Sequence, residues 1–227
     1  FVMENYRYEI KFILNEANYS NAYFIINAKT SMKKDFSNRV VNSLYFDDMN
    51  FSSIQDNLIG LANRKKMRLR WYDNNLLDKR AIFEIKKRNG RLGSKDTFKI
   101  DSLYGSLMDL KINEVSKLIT KDLSNKEIVL SEYLQSTLQV SYERQYYKNF
   151  ENIRVTIDRN IGFSYPMLQQ KMTPNMQLLY PYSILEVKFD PKDKSAAFSI
   201  IKSLGLTPKR HSKYLAGMAA FGLANYI

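Results

Sequence analysis

Residues 63–75 read NRKKMRLRWYDNN. In an extended strand successive side chains point to opposite faces, so the stretch separates into two rows. One row is Arg64, Lys66, Arg68 and Arg70; the other is Lys65, Met67, Leu69 and Trp71. Like charges repeated along one face of a strand repel one another. A folded chain tolerates such a row when it is solvated or when a polyanion neutralises it.

The same two-residue test applies elsewhere. Arg7, Glu9 and Lys11 share a face opposite Tyr8, Ile10 and Phe12. Glu84, Lys86 and Arg88 oppose Phe83 and Ile85. Tyr142, Arg144 and Tyr146 align, as do Arg154, Thr156 and Asp158. Glu186 and Lys188 oppose Leu185, Val187 and Phe189. For one strand, a solvated outer face is the simple reading. Over so many strands it weakens, because a solvated face mixes Ser, Thr, Glu and Lys, whereas these rows favour Arg and Lys. The other reading turns the apolar faces outward under helices and the charged faces inward, around a basic tunnel.

Alternating strands are expected at 5–14, 39–48, 65–73, 81–88, 94–100, 139–149, 153–163 and 182–190. Apolar spacing of three and four predicts helices over 103–123 and 124–138, with Ser124 and Glu127 as a capping box for the second. Shorter helices are expected at 19–30, 50–59, 192–204 and 213–224, and the 171–181 loop reads as irregular. The expected class is α+β: an eight-stranded antiparallel β-barrel with surrounding helices. With no repeat, low-complexity run or linker, residues 1–227 read as a single domain.

The bulk numbers agree. The 227-residue chain is 44% hydrophobic, which suffices for a sizeable core, and its formal net charge of +12 favours polyanionic partners. It has no cysteine, which excludes disulfides and thiolate sites and suits a cytoplasmic setting. His211 is the only histidine, so a His-rich metal site or a Ser-His-Asp triad is nearly excluded; His211 itself is expected to be a surface or packing residue. No apolar run approaches the roughly 18 residues of a membrane span. The start passes directly into the charged YRYEIKFIL without a signal-peptide pattern, and Met3 reads as the natural first residue.

Arginine grips phosphate through two planar contacts and lysine acts as a compact point charge. Glu9, Glu84 and Glu186 are too few to neutralise these rows, but they could hold a divalent cation, and Mg²⁺ or Mn²⁺ suits oxygen ligands shared with phosphates. The expected ligand is a chain of phosphates. A nucleic-acid module would interleave exposed aromatics with its cations; here most aromatics lie on the opposite faces, so nucleic acid is not an expected partner.

In this order, RYEIKF, RLRWY, FEIKKR, SKDTF, SYERQYY, ILEVKF and RHSKY resemble the VTC polyphosphate polymerase domain. That family belongs to the triphosphate tunnel metalloenzymes, the CYTH superfamily. The resemblance spans about residues 5–217. It implies an eight-stranded tunnel, a divalent metal, and transfer of the γ-phosphate of ATP onto polyphosphate. Carried over by position, Lys11 matches the basic residue of the first strand and Arg68 and Arg70 the paired phosphate-gripping arginines. Lys86 and Lys95 match the lysines of the next hairpin, and Tyr142 and Arg144 the Tyr-x-Arg pair. Glu186 matches the metal-binding glutamate, with Glu9 as a second metal candidate. Arg210, Ser212 and Lys213 match the basic-x-Ser-Lys stretch, and Arg154 and Lys188 join the phosphate-binding set.

The wider superfamily opens with Glu-x-Glu-x-Lys, whereas Arg7 stands first here. That disfavours the two-metal hydrolytic arrangement of the triphosphatases and class IV adenylate cyclases, while the polymerase branch tolerates the change; a triphosphatase of the same tunnel fold and a non-catalytic polyphosphate binder are the alternatives to the polymerase. Eukaryotic members add a phosphate-sensing SPX domain and membrane helices, and this sequence shows neither. Regulation, and any attachment to the inner face of a membrane, is therefore expected from a separate partner protein. The apolar KYLAGMAAFGLANYI at 213–227 is expected to pack on the barrel rather than to dock a membrane partner.

Overall fold

A computed structural model describes residues 7–73, 81–90, 92–105, 107–128, 130, 134–172 and 176–225. The strands are β1 (Tyr8–Leu14), β2 (Lys33–Asp47), β3 (Asn63–Tyr72), β4 (Ile82–Asn89), β5 (Leu92–Lys99), β6 (Gln135–Lys148), β7 (Arg154–Ser164), β8 (Leu178–Leu179) and β9 (Ser183–Phe189). The α-helices are α1 (Glu16–Ala28), α2 (Ser52–Leu58), α3 (Ile112–Ser124), α4 (Lys194–Leu204) and α5 (Lys213–Ala220).

Eight strands pair antiparallel in the order β1-β9-β7-β6-β2-β3-β4-β5, and the short β8 adds to β7. The edge strands β1 and β5 meet at one isolated bridge, Arg7 with Gly93. No continuous ladder closes the ring among the described residues. Lys209 instead donates its N–H to the Lys11 carbonyl, so the segment before α5 runs along the free edge of β1. The sheet is thus barrel-like, as the alternating strands predicted.

Its convex face carries two cores. Met67, Leu69, Trp71 and Phe83 pack with Ile112, Val115, Ile119 and Leu123 of α3, and Trp71 is almost wholly buried there. Phe12, Leu185, Val187 and Val155 pack with Ile25 and Ile26 of α1 and Ala197 and Ile200 of α4. The apolar rows therefore point outward under helices and the charged rows point inward, which settles the choice left open by strand alternation.

At one end the concave face turns apolar. Val41, Leu138, Val140, Ile161, Phe163 and Ile184 surround Tyr214, Leu215 and Met218 of α5. This helix plugs the barrel from inside instead of packing on its surface. Tyr214 stacks on Tyr45 at 4.9 Å between centroids, and its hydroxyl donates to Asp47 at 3.0 Å.

Three expected elements differ. The helix expected over 103–123 begins only at Ile112, after a 3₁₀ turn at Asp101–Leu103. No helix spans 124–138: Ser124 ends α3, Glu127 has a left-handed φ of 59°, and Gln135 already begins β6. The apolar residues there belong mostly to the connection into β6, where Ile128, Leu130 and Leu134 pack on the α3 core at a spacing that mimics a helical period. The real cap is at the other end of α3, where the Glu114 carboxylate accepts from the Lys111 N–H at 2.7 Å. Strand β2 starts six residues before the expected 39, because its exposed first half pairs with β6 instead of packing on a core. Residues 5–6 of the expected first strand, and 129 and 131–133 of the expected helix, lie outside the described residues.

Gly217 lies where α5 presses on β6 and β7, and a Cβ there would overlap the Leu138 and Phe163 side chains. Gly217→Ala is expected to cost about 1–3 kcal/mol, as overpacking does in a filled core. Urea unfolding monitored by circular dichroism would measure the loss.

Candidate phosphate-binding tunnel

The inward rows meet in the lumen. Deep in the lumen nine cations of the described residues (Lys11, Lys66, Arg68, Arg70, Lys86, Lys95, Arg144, Lys188 and Lys213) gather around four carboxylates (Glu9, Glu84, Asp158 and Glu186), with further cations of the same rows nearer the rim. They form three groups, and strand register explains each.

On β3, β4 and β5, Arg68, Glu84 and Thr97 are directly opposed across the three strands. Glu84 accepts from Arg68 at 2.7 Å and Lys95 at 2.9 Å, with Arg70 at 3.6 Å. Burial pushes the Glu84 carboxyl up, but Arg68 and Arg70 outweigh it and hold the group well below the usual carboxylate range. Burial opposes the Arg68 charge too, and Glu84 restores it. With its charge spent on three cations, Glu84 orients the arginines and is poorly placed to hold a metal.

On β1 and β9, Lys11 lies opposite Glu186 and Glu9 opposite Lys188. Lys11 sits 2.9 Å from Glu9 and 3.6 Å from Glu186, and Lys86 reaches across from β4 to Glu9 at 2.8 Å. Lys188 contacts Glu186 and lies 4.0 Å from Glu9. Burial and the Glu9 charge both push Glu186 up, yet the surrounding lysines bring it down to about 2. Burial also raises Glu9, and Lys11, Lys86 and Lys188 reverse it well below the usual range. Oε1 of each glutamate is buried without a well-aligned hydrogen bond. Both Oε1 atoms are ion-paired, Glu9 with Lys11 and Glu186 with Lys188, so a hard divalent cation would fit between these two carboxylates on neighbouring strands only by displacing lysines, with its remaining ligands from phosphate and water. The described residues contain no group of three or more His, Asp or Glu arranged for a metal.

On β6 and β7, Arg144 lies opposite Asp158 and binds it through two bonds, one of 2.8 Å from Nη2. Lys213, the first residue of α5, reaches the same carboxylate. Tyr142 lies between the two cations, its ring centroid 5.1 Å from the Arg144 guanidinium and 4.6 Å from the Lys213 ammonium. Burial favours the neutral phenol, but Arg144 and Arg70 lower its pKa overall.

Ser212 caps α5 through Leu215 N–H and accepts from Lys66 Nζ at 2.8 Å. Lys66 has no carboxylate partner among the described residues. Burial, then Lys11 and Lys86, pulls its pKa well down. The positive end of α5 faces this same place. His211 is buried against Tyr180 at 5.4 Å, and burial with Lys213 and Lys11 lowers it to about 3, so it is a neutral packing residue as expected.

Of the expected site residues, Lys11, Arg68, Arg70, Lys86, Lys95, Tyr142, Arg144, Lys188, Ser212, Lys213, Glu9 and Glu186 converge on the lumen. Arg154 and Arg210 are exposed. Arg154 is not paired with Asp158, which is taken by Arg144 and Lys213; it stands at the rim opposite Lys188. Arg210 lies beside Gly60 and close enough to Arg64 to oppose its charge. Three lumen residues escaped selection: Lys66, Asp158 and Glu84, which the sequence offers only as one of three carboxylates able to hold a cation. Lys66 sits in the row with Arg68 and Arg70, so its signal was present. Asp158 looked like a local partner of Arg154, and only register shows it beneath Arg144.

The fold and this lining define an antiparallel barrel protein with a basic, ion-paired lumen. The chain belongs to the VTC domain family, whose model matches residues 6–222. A curated relative is subunit 2 of the vacuolar transporter chaperone complex of Saccharomyces cerevisiae, 26% identical. The match covers 78% of this chain but only 28% of that protein, so the chain spans less than a third of its relative. A putative adenylyl cyclase from Hippeastrum, described as having a dominant triphosphatase activity, shares the fold at a TM-score of 0.56 and 13% identity. That match covers 95% of this chain and 96% of the other. A protein of Pyrococcus horikoshii matches at 0.52 and 11% identity, over 96% and 99% of the two chains.

Burial first, then Lys11 and Lys188, against help from Glu9 and Glu186, leaves Lys86 at about 8. Below pH 8 it is charged in the folded and unfolded chain alike and the full cost of burying the charge is present; that cost fades as pH rises from about 8 towards the unfolded value of about 10.4. An anion bound beside it would raise the pKa again. Tripolyphosphate binding near pH 8.5 is therefore expected to take up protons, and the uptake should fall away towards pH 6.5. Calorimetry in buffers of different ionisation enthalpy measures it. Asp158→Asn leaves Arg144 and Lys213 buried without a counter-charge and is expected to cost about 3–5 kcal/mol. Added tripolyphosphate should restore part of this loss in a thermal melt.

Proposed function

We propose that this chain is a polyphosphate polymerase that moves the γ-phosphate of ATP onto the end of a polyphosphate chain. The observation that carries the reading is the lumen itself: up to nine cations face four carboxylates, in a barrel plugged at one end by α5. Such a wall has a charge deficit that a chain of phosphates fills. Three further buried polar atoms without hydrogen-bond partners, Ser43 Oγ, Thr156 Oγ1 and Arg70 Nε, add capacity for phosphate oxygens.

Phosphoryl transfer depends on positioning and charge neutralisation more than on covalent chemistry. In this proposal Arg68, Arg70, Arg144 and Lys11 hold the phosphates of ATP. Lys86, Lys95, Lys188 and Lys213 hold the acceptor, with Arg154 and Arg210 at the rim where chain enters or leaves. Tyr142 and Ser212 donate hydrogen bonds to phosphate oxygens. A terminal polyphosphate oxygen attacks the γ-phosphorus, the bond from that phosphorus to the β–γ bridging oxygen breaks, and ADP departs with the electron pair. The attacking oxygen is already ionised, so no general base is needed. Glu9 and Glu186 would hold Mn²⁺ or Mg²⁺, which when bound neutralises charge on the transferring group. As phosphates enter, Lys11, Lys86 and Lys188 would exchange their carboxylate partners for phosphate oxygens.

The yeast relative is named as a subunit of a complex, and a complex with a membrane partner is part of the proposal. Among the described residues no helix is long and apolar enough to cross a membrane.

The test is incubation of the protein with ATP and Mn²⁺, with polyphosphate resolved on a stained gel. Wild type should yield a ladder. Arg68→Ala/Arg70→Ala should lose at least about a hundredfold in rate, the scale seen when a charge-stabilising donor is removed. Free phosphate without a ladder would replace this reading with a triphosphatase.

A further inference from the structure

The sheet carries a second basic feature that leaves the lumen. Lys33 on β2 is the cross-strand partner of Lys148 on β6. Lys148 is the partner of Arg154 on β7, and Arg154 of Lys188 on β9. Four cations thus stand side by side on four adjacent strands. Paired positions share a face, so the row lies on the same concave face as the lumen wall. Three steps of about 4.8 Å make it roughly 14 Å long.

The row is compensated only at its inner end, where Lys188 meets Glu186 and Glu9. Among the described residues Lys148 and Arg154 have no ion-pair partner, and Lys33 lies 5.3 Å from the centroid of the Phe150 ring. Phe150 is 86% exposed at the turn between β6 and β7. The outer end opens into a cavity of about 320 Å³ lined by Lys33, Lys34, Lys148, Asn149 and Phe150, with Asp35 its one carboxylate. Residues Lys33–Asn38 are all exposed, so this end of the β2–β6 ribbon lies outside the core.

Directly opposed like charges weaken a strand pair. Here the repulsion recurs at three successive interfaces, without the alternating carboxylates found deeper in the tunnel. We infer that Lys33, Lys148 and Arg154 form an outer site for linear polyphosphate, continuous with the tunnel and engaged only by chains longer than those the lumen holds. This rests on the lumen reading above and extends it: tripolyphosphate would occupy the lumen alone, and a long chain would also run along the row. Continuity with Lys188 favours a phosphate chain over a bilayer surface, which would touch the ribbon without entering the lumen.

The test is calorimetric titration of the full chain with tripolyphosphate and with long-chain polyphosphate, at one ionic strength. Wild type should bind the long chain at least about tenfold tighter per chain, as linked subsites do. Lys33→Gln/Lys148→Gln and Lys33→Glu/Lys148→Glu should lose that gain and keep their tripolyphosphate affinity within about twofold. Lys117→Glu/Lys121→Glu on the exposed face of α3 matches the net-charge change of Lys33→Glu/Lys148→Glu and should keep the gain. Thermal melts confirm that the variants fold. The inference is overturned if the row variants retain the gain, if the α3 control loses as much, or if both ligands weaken together. It is also overturned if the row variants lose only binding to phosphatidylserine vesicles. If tripolyphosphate fails to bind wild type while the long chain binds through the row, the lumen reading falls and the outer site stands.

Discussion

A wall of like charge, held inside a barrel, is the constraint on which the rest of the structure depends. Cations gathered on one concave face repel, and removing them from water adds to the cost. The chain offsets this by dividing four carboxylates among three groups. Glu84 holds the β3 arginines, Glu9 and Glu186 share the lysines of β1, β4 and β9, and Asp158 ties Arg144 to Lys213. Every carboxylate is shared by at least two cations, so the wall is kept ionised and still short of negative charge.

Rigidity comes from the opposite side of the sheet. The convex face is apolar on both halves, and α3 on one side and α1 with α4 on the other press it into a fixed curvature. Burial on that face, at about 25 cal/mol per Å² of apolar surface, is the favourable contribution that offsets the charged lumen. The same strand therefore does two jobs: Leu69 and Trp71 hold it under α3, while Arg68 and Arg70 point at Glu84. Helix α5 completes the enclosure from within, carrying Ser212 and Lys213 to the lumen as its cap and first residue.

The departure at Arg7 fits this arrangement. Its guanidinium turns to Asp190 at 3.1 Å at the end of β9, away from the Glu9 and Glu186 pair. The carboxylate pair thus stands without a third acidic neighbour among the described residues. This chain and the Hippeastrum protein share the fold at 13% identity, so the barrel is a framework that tolerates wide change in sequence.

Much of this could be read from the sequence, because strand alternation is a local property. Period two located eight strands and sorted nearly every charged lumen residue onto the correct row. The reading failed at 124–138, where Ile128, Leu130 and Leu134 of the connection into β6 pack on the α3 core and their spacing imitates a helix. It also passed over Lys66, whose row was noticed but whose lack of a carboxylate depends on strands far away in sequence. The sequence by itself determined the two faces of each strand, since side-chain direction alternates whatever the partner. Only the tertiary structure decided which face points inward, that α5 fills the lumen, and that Asp158 serves Arg144 and Lys213 rather than Arg154. Those outcomes depend on cross-strand register and sheet curvature, which arise from contacts between residues distant in the chain.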